Sequence, residues 1–215
     1  MKKYIKIPES IEKTSFQIIT EELGERGNNF TEEELKIVKR VIHTTADFEY
    51  ADLIKFINSP ISQGKKALEL GCKIYCDTNM IVNGLSRKIL EKFNCEAYCL
   101  VRDEQVAKEA KERGVTRSIV GIEKAAKEKE TKIFLIGNAP TALYRLKEMI
   151  VSGEIEKPLL VVGVPVGFVG AAEAKENFKD TNIPYITIDG RKGGSTVTVS
   201  ILHGILYQLY KREGF

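Results

Sequence analysis

The chain of 215 residues lacks the features that mark membrane, secreted or nucleotide-binding proteins. No apolar run approaches the roughly 20 residues that span a bilayer, and the start MKKYIKIPES has no apolar signal-peptide core. No G-x-x-x-x-G-K-[ST] phosphate loop occurs, and the net charge of +3 is too small to indicate nucleic acid. We therefore expect a cytoplasmic protein with no membrane or nucleic-acid partner, although a mild positive excess suits an anionic substrate.

Cysteine is also scarce, and its four copies form two C-x-x-x-C pairs: Cys72 with Cys76, and Cys95 with Cys99. A metal site built from both pairs is one interpretation. The other, which we favour, is that each cysteine serves as a small hydrophobic residue, because both pairs lie in or beside apolar strand-like runs. A cytoplasmic setting argues against disulfides, and we expect no metal.

Strand-like and helix-like segments alternate over most of the chain, which is typical of a parallel sheet covered on both faces. We predict one domain over residues 1–215, with a three-layer α/β architecture and a five-stranded, mostly parallel sheet. The predicted strands are 73–76, 96–101, 132–136, 159–162 and 185–188. The predicted helices between and after them are 79–92, 103–129 with a break near Gly114, 140–151, 171–179 and 195–211.

The first 70 residues contain no convincing strand, and we interpret them as a helical N-terminal layer with helices at 10–23, 32–43 and 60–70. Thr31 and Glu34 form a capping box, and apolar residues follow at helical spacing. His43 is therefore expected at or near a helix C-terminus.

The segment PLLVVGVPVGFVGAAEAKE is the most informative stretch, because a buried-strand run breaks into a glycine- and proline-rich turn and then into a helix. Ligands of open α/β sheets bind at such turns. Gly167 is one of three glycines here that let the backbone approach another molecule, although the same glycines would also suit a tight loop. Their spacing, G-x-x-x-G-x-x-G, does not match the dinucleotide fingerprint.

Only two histidines occur, His43 and His203, and His43 is the better candidate for acid–base chemistry. It follows Arg40 by three residues on the same helix face, and Thr44, Thr45 and Asp47 offer polar partners. A helix C-terminus favours the protonated ring and Arg40 opposes it, which suits a general acid or base. The alternative is a structural histidine at the end of a surface helix, and we interpret His203 as structural.

Several motifs together resemble those of precorrin-8X methylmutases, enzymes of cobalamin ring synthesis. The loop VPVGFVGAAEAKE carries the strongest similarity. The other motifs follow in the family's order along nearly the whole chain: IEKTSF, RVIH, CDTNM, TRS, GNAPTAL and GRKGGS.

The resemblance implies roles for residues that composition alone leaves open. In enzymes with R-x-x-H at this place the histidine donates and accepts a proton and the arginine contacts substrate, which implies catalysis by His43 and binding by Arg40. Ser15 resembles the family's substrate-contacting serine, although a mid-helix hydroxyl bonded to its own backbone is the simpler interpretation. Arg117 and Ser118, in TRS, are expected to bind a carboxylate.

The remaining predicted binding residues lie after strands. Asn138 and Thr141 belong to a turn that should present free backbone N–H groups, though they would serve equally to cap a helix. Arg191 and Ser195 are expected to form a second carboxylate site at the start of the last helix. Asp77 is expected either to cap the next helix or to lie in the pocket.

The substrate that the resemblance implies is a large, nearly planar tetrapyrrole, precorrin-8 or cobalt-precorrin-8, fringed by carboxylates. The implied reaction moves a methyl group from ring carbon 11 to ring carbon 12, with no cofactor, and family members are homodimers. Two other functions stay open: a corrinoid-binding protein without catalysis, and a nucleotide- or S-adenosylmethionine-dependent α/β enzyme.

Overall fold

A computed structural model describes residues 8–210 as eleven α-helices and six β-strands. The strands are β1 Ile54–Ile57, β2 Lys73–Cys76, β3 Glu96–Tyr98, β4 Thr131–Ile136, β5 Leu160–Gly163 and β6 Tyr185–Ile188. The helices are α1 Pro8–Leu23, α2 Glu32–Thr45, α3 Tyr50–Leu53, α4 Pro60–Leu70, α5 Asn79–Gly84, α6 Arg87–Lys92, α7 Glu104–Arg113, α8 Arg117–Lys127, α9 Pro140–Val151, α10 Ala171–Phe178 and α11 Ser195–Leu209. Short 3-10 turns follow α1 and α10.

The six strands form one sheet in the order β1-β6-β5-β4-β2-β3. All neighbouring strands are parallel except β1, which pairs with β6 in antiparallel register, Ile54 opposite Ile188. The prediction of five strands with none in the first 70 residues is therefore wrong. The segment IKFI is too short to show a period, and its pairing partner lies far along the chain.

The sheet carries helices on both faces. Helices α8, α9 and α10 cover one face. Helices α4, α5 and α11 cover the other, and α2 and α1 pack outside α11. The helices on that side thus form two successive layers. The predicted three-layer architecture, with one helical layer on each face of the sheet, is therefore not what the structure shows. Helix α4, assigned to the N-terminal layer by sequence, packs directly on β4 and β5.

Helix α11 is apolar on nearly every side because it lies between the sheet and α2. Gly204 permits this close packing, since a Cβ atom there would lie 2.8 Å from Ile37 Cγ1 and 3.0 Å from Ile37 Cα. Such a distance leaves no room for a side chain. The glycine therefore sets how near α2 can approach the sheet.

The local signals around α2 are confirmed. Thr31 and Glu34 form the capping box, with the Thr31 hydroxyl accepting from Glu34 N–H. The helix ends at Thr45, where Ala46 adopts the left-handed conformation with φ of 53°. His43 consequently lies in the last turn.

Candidate active site

The carboxyl ends of the parallel strands meet at one edge of the sheet. Most of the predicted binding residues follow these strands directly. Asp77 follows β2, Asn138 and Thr141 follow β4, Gly167 follows β5, and Arg191 and Ser195 follow β6. The structure thus brings them to the edge at which open α/β sheets bind ligands.

The Asp77 carboxylate joins two of these turns. The side chain is only 2% exposed; its Oδ1 accepts from Gly137 N–H at 3.1 Å, and its Oδ2 accepts from Asn138 and Ala139 N–H at 2.8 and 2.7 Å. Burial raises the pKa of Asp77, and the three backbone hydrogen bonds oppose that shift. The helix that follows Asp77 is instead capped by Thr78, whose hydroxyl accepts from Ile81 N–H. The prediction that the 137–139 turn offers free N–H groups is wrong, because Asp77 occupies them.

The TRS motif lies beside the same turn. Thr116 caps α8 by accepting from Ile119 N–H, and its hydroxyl lies 3.1 Å from that of Thr141. Arg117 is exposed, and its guanidinium donates to the Val101 carbonyl at 3.5 Å. Ser118 follows it in the first turn of α8 and is partly buried. Arg117 therefore adds a cation at the rim of this edge.

Two loops at this edge are bonded to each other: the β5 loop, residues 164–170, and the β6 loop, residues 189–194. Gly167 N–H donates to the Arg191 carbonyl at 3.2 Å, and Gly194 N–H donates to the Val164 carbonyl at 2.8 Å. The Arg191 guanidinium lies 5.4 Å from the centre of the Phe168 ring. The cation and the apolar loop tip thus share one surface.

Gly193 is required where the two loops touch. Its φ is 148°, and a Cβ atom there would lie 2.1 Å from the Val164 carbonyl oxygen. The β6 loop then enters α11, whose first residue, Ser195, has its hydroxyl 3.0 Å from that of Thr78. No side chain of the described residues caps this helix, so its first turn retains free N–H groups.

The other three predicted residues form a separate group on α1 and α2. Arg40 donates to the Glu12 carboxylate at 3.3 Å, and its guanidinium lies over the rings of Phe16 at 5.3 Å and Tyr207 at 4.6 Å. Ser15 donates to the Ile11 carbonyl at 2.8 Å, which is the local backbone bond that the simpler interpretation predicts.

The His43 imidazole is exposed and stacks on Phe16, with ring centroids 5.1 Å apart. Its expected partners bind elsewhere. Thr44 and Thr45 donate to the carbonyls of Arg40 and Val41, and Asp47 accepts from Lys192. Within residues 8–210 no hydrogen bond engages the imidazole, so neither of its nitrogens has a hydrogen-bond partner among these residues.

Lys192 connects the two groups. Its Nζ donates to Asp47, just after α2, and to Glu49 at 2.7 Å. The hydrogen bond from Lys192 to Asp47 lowers the pKa of the Asp47 carboxyl group. The β6 loop is thereby tied to the end of the helix that carries His43.

Sequence reasoning missed two residues near these groups. Phe16 lies between Arg40 and His43, and its position in the TSF motif was the available signal. Lys175 of α10 is 1% exposed and donates to the Lys192 carbonyl at 2.8 Å. Nothing in the charged run AEAKE distinguishes it from a solvated lysine.

The other candidates occupy structural positions. His203 Nε2 accepts from Ser86 N–H at 3.1 Å, in agreement with the structural interpretation. The cysteines are free thiols, and over the described range no cluster of three or more His, Cys, Asp or Glu side chains is suited to a metal ion.

Between residues 8 and 210, no helix combines the length and apolar composition that crossing a bilayer requires.

Fold and site together define an α/β protein with a polar, partly cationic rim around the carboxyl edge of its sheet. Residues 10–208 match the precorrin-8X methylmutase family. The chain belongs to this family of isomerases, which catalyse the migration of a methyl group, and the family prediction is confirmed.

Similar proteins span nearly the same length. A cobalt-precorrin-8 methylmutase of Leptospira interrogans is 44% identical over 99% of both chains. The corresponding protein of Priestia megaterium is 46% identical over 92% of this chain and 87% of its own. The crystal structure of precorrin-8x methyl mutase from Thermus thermophilus superposes with a TM-score of 0.83 at 38% identity, covering 92% of this chain and 94% of the other.

Proposed function

We propose that this protein moves a methyl group from ring carbon 11 to ring carbon 12 of cobalt-precorrin-8, giving the cobyrinate skeleton in cobalamin synthesis. The observation that carries the proposal is the 44% identity to a cobalt-precorrin-8 methylmutase over 99% of both chains. We choose the cobalt-loaded substrate because four relatives with identities of 42–46% are all named cobalt-precorrin-8 methylmutase. A relative named precorrin-8X methylmutase, from Pseudomonas aeruginosa, is 36% identical.

The carboxyl edge supports a substrate with an apolar face and an anionic fringe. Arg117, Arg191 and the first turn of α11 supply positive charge or N–H donors for carboxylates. Phe168 and Val169, at 83% and 90% exposure, offer apolar surface to the macrocycle. Asn138, Thr141, Gly167, Ser118 and Ser195 lie around the same edge. In this proposal Asp77 serves the site by holding the 137–139 turn.

His43 is proposed as the proton donor. As imidazolium it would protonate or hydrogen-bond a ring nitrogen next to the migrating methyl, and recover the proton when the shift is complete. The bond from carbon 11 to the methyl breaks as the bond to carbon 12 forms, in a [1,5]-sigmatropic shift within one molecule. The His43 ring is exposed and makes no hydrogen bond to residues 8–210, which supports this role. Ser15 and Arg40, in the same group on α1 and α2, are proposed as substrate contacts.

The test is turnover by His43→Ala with cobalt-precorrin-8, and with metal-free precorrin-8 in parallel. We expect kcat to fall by about 10²–10⁴-fold, the contribution typical of general acid catalysis, while cobyrinate still binds. His203→Gln is the matched control, because it also removes an imidazole, while the glutamine amide oxygen reaches the position of Nε2 and can still accept from Ser86 N–H.

Three outcomes would count against parts of the proposal. Turnover by His43→Ala at the wild-type rate would remove His43 from the mechanism. Faster turnover of the metal-free substrate by the wild-type protein would overturn the choice of cobalt-precorrin-8. A single spectral shift on mixing, with no change over time, would indicate a corrinoid-binding protein without catalysis.

Three further features are proposed from kinship and from the fold. A homodimer is the expected assembly. A single domain is supported by β1, which belongs to the N-terminal part of the chain and pairs with β6 near its other end. A cytoplasmic location is proposed on the sequence observations alone.

A further inference from the structure

Lys175 is a buried cation beneath the two loops. It lies on α10, is 1% exposed, and its Nζ donates to the Lys192 carbonyl at 2.8 Å. Burial lowers its pKa to about 8, although the nearby Asp189 carboxylate opposes the shift. Because a buried ammonium costs free energy unless it is well paired, this lysine is expected to serve a purpose that an apolar residue could not.

The acceptor of this hydrogen bond lies at the centre of the β6 loop. The preceding carbonyl, that of Arg191, accepts from Gly167 N–H of the β5 loop. The following residue, Gly193, has no space for a Cβ atom beside the Val164 carbonyl. Lys175 therefore holds the loop at its Lys192 carbonyl. The Lys192 side chain in turn binds Asp47 and Glu49, which lie just after α2.

The position of the β6 loop determines the position of two groups at the site. Arg191 is part of the loop, and α11 begins directly after it, at Ser195. A change in the 192–193 peptide would move both the guanidinium and the free N–H groups of the first turn of α11. These are the groups to which we assign carboxylate binding.

We propose that Lys175 is a positioning residue, which fixes the β6 loop through the Lys192 carbonyl and so places Arg191 and the amino end of α11 against the substrate's carboxylates. The identity of the substrate rests on the proposed function; the bracing of the loop does not.

The test compares Lys175→Met, which keeps length but removes the donor, with Lys175→Arg, which keeps charge and donors. For Lys175→Met we expect the Kd for cobyrinate, measured by absorbance titration, and the KM to rise about tenfold. We expect kcat to stay within about twofold, because the lost interaction serves binding and not the reacting atoms. Amides of the β6 loop should exchange hydrogen faster, and Lys175→Arg should recover part of each loss.

Lys147→Met is the matched control. Lys147 also donates to a backbone carbonyl, that of Asn177 at 2.5 Å, but at the far end of α10 from the loops. This variant should leave Kd, KM and loop exchange unchanged.

A second variant covers the case in which Lys175→Met does not fold. Gly193→Ala places a methyl group against the Val164 carbonyl and so displaces the same loop without changing Lys175. It should raise Kd in the same way. Wild-type Kd and wild-type loop exchange in Lys175→Met would overturn the proposal, as would a loss in kcat with KM unchanged. If the wild-type protein converts neither substrate, the proposed function fails, and the exchange measurement still decides whether Lys175 braces the loop.

Discussion

A single buried carboxylate, that of Asp77, holds the turn from which Asn138 and Thr141 project. It accepts three backbone N–H groups from a turn that belongs to a different strand. Because burial raises its pKa, the charged form depends on these three bonds. The geometry of this part of the site therefore rests on the three hydrogen bonds of one buried side chain.

Asp77→Asn should destabilise the protein. An amide would retain one acceptor oxygen but turn an NH₂ group toward backbone donors, so we expect the free energy of unfolding to fall by about 2–4 kcal/mol in urea denaturation. Asp103→Asn is the control, since Asp103 caps α7 by accepting from Val106 N–H and asparagine caps helices equally well. An Asp77→Asn protein as stable as wild type would mean that the three hydrogen bonds contribute little.

At the scale of elements, the contact between α2 and α11 determines where the helix that carries His43 lies. Ile37 of α2 occupies the space above Gly204 of α11. Gln208 of α11 also donates to the Glu33 carbonyl near the start of α2. Among the described elements, α2 makes its most extensive contact with α11, which therefore supports it.

Gly204→Ala should therefore destabilise the pair. The added methyl would meet the Ile37 backbone at 3.0 Å, which a change of side-chain rotamer cannot relieve, so we expect a loss of about 1–3 kcal/mol in thermal or chemical unfolding. Gly27→Ala is the control, because its Cβ would meet only side chains of Leu23 and Leu35, at 3.6 Å and beyond. A Gly204→Ala protein more stable than wild type would show that helix propensity outweighs the clash.

For the whole molecule, one carboxylate joins three helices on the face of the sheet opposite α11. Glu123 of α8 accepts from Arg113 of α7 at 2.6 Å and from Arg145 of α9 at 2.7 Å. The hydrogen bond from Arg113, followed by that from Arg145, lowers the pKa of Glu123 to about 2. The folded state thus binds the proton more weakly than the unfolded state.

This difference predicts a specific loss of stability in acid. The contribution of Glu123 is complete above its ordinary pKa of 4.5 and is lost as the pH falls from there toward 2. Glu123→Gln should lower the free energy of unfolding by about 1–2 kcal/mol at pH 7, because solvent weakens pairs with partly exposed arginines. The difference from wild type should narrow below pH 4.5 in melting curves. A difference in the free energy of unfolding that stays constant to pH 3 would contradict the assignment. Glu32→Gln is the control, because Glu32 forms an exposed pair with Lys36.

Most of the fold could be predicted because its signals are local. The buried runs of β2, β4, β5 and β6, the capping box of α2 and the break at Gly114 each depend on neighbours in the chain. Strand β1 could not be found in this way, since its pairing with β6 is long-range. The helix predicted at 79–92 is in fact two, separated at Leu85–Ser86, where Leu85 is extended.

The locations of the predicted site residues could be anticipated to a similar extent. The motifs that resemble the family's lie directly after strands, and the structure accordingly places their residues at the carboxyl edge, while their roles in binding stay predictions. Their partners were not predictable, since the Asp77 bonds and the burial of Lys175 arise only when distant segments pack. Thr44 and Thr45 show the opposite case, in which hydroxyls expected to serve His43 bind their own helix.

The antiparallel pairing of β1 with β6 also bears on how the chain is assembled on the ribosome. β1 emerges early, but within residues 8–210 its one neighbour in the sheet is β6, the last of the described strands to be synthesised. Until then the IKFI segment lacks its strand partner, and that sheet edge cannot be completed before Ile188 has been synthesised. In a nascent chain stalled before β6, the backbone N–H and C=O groups of β1 would therefore lack their strand partner, and this segment would be a candidate for chaperone binding.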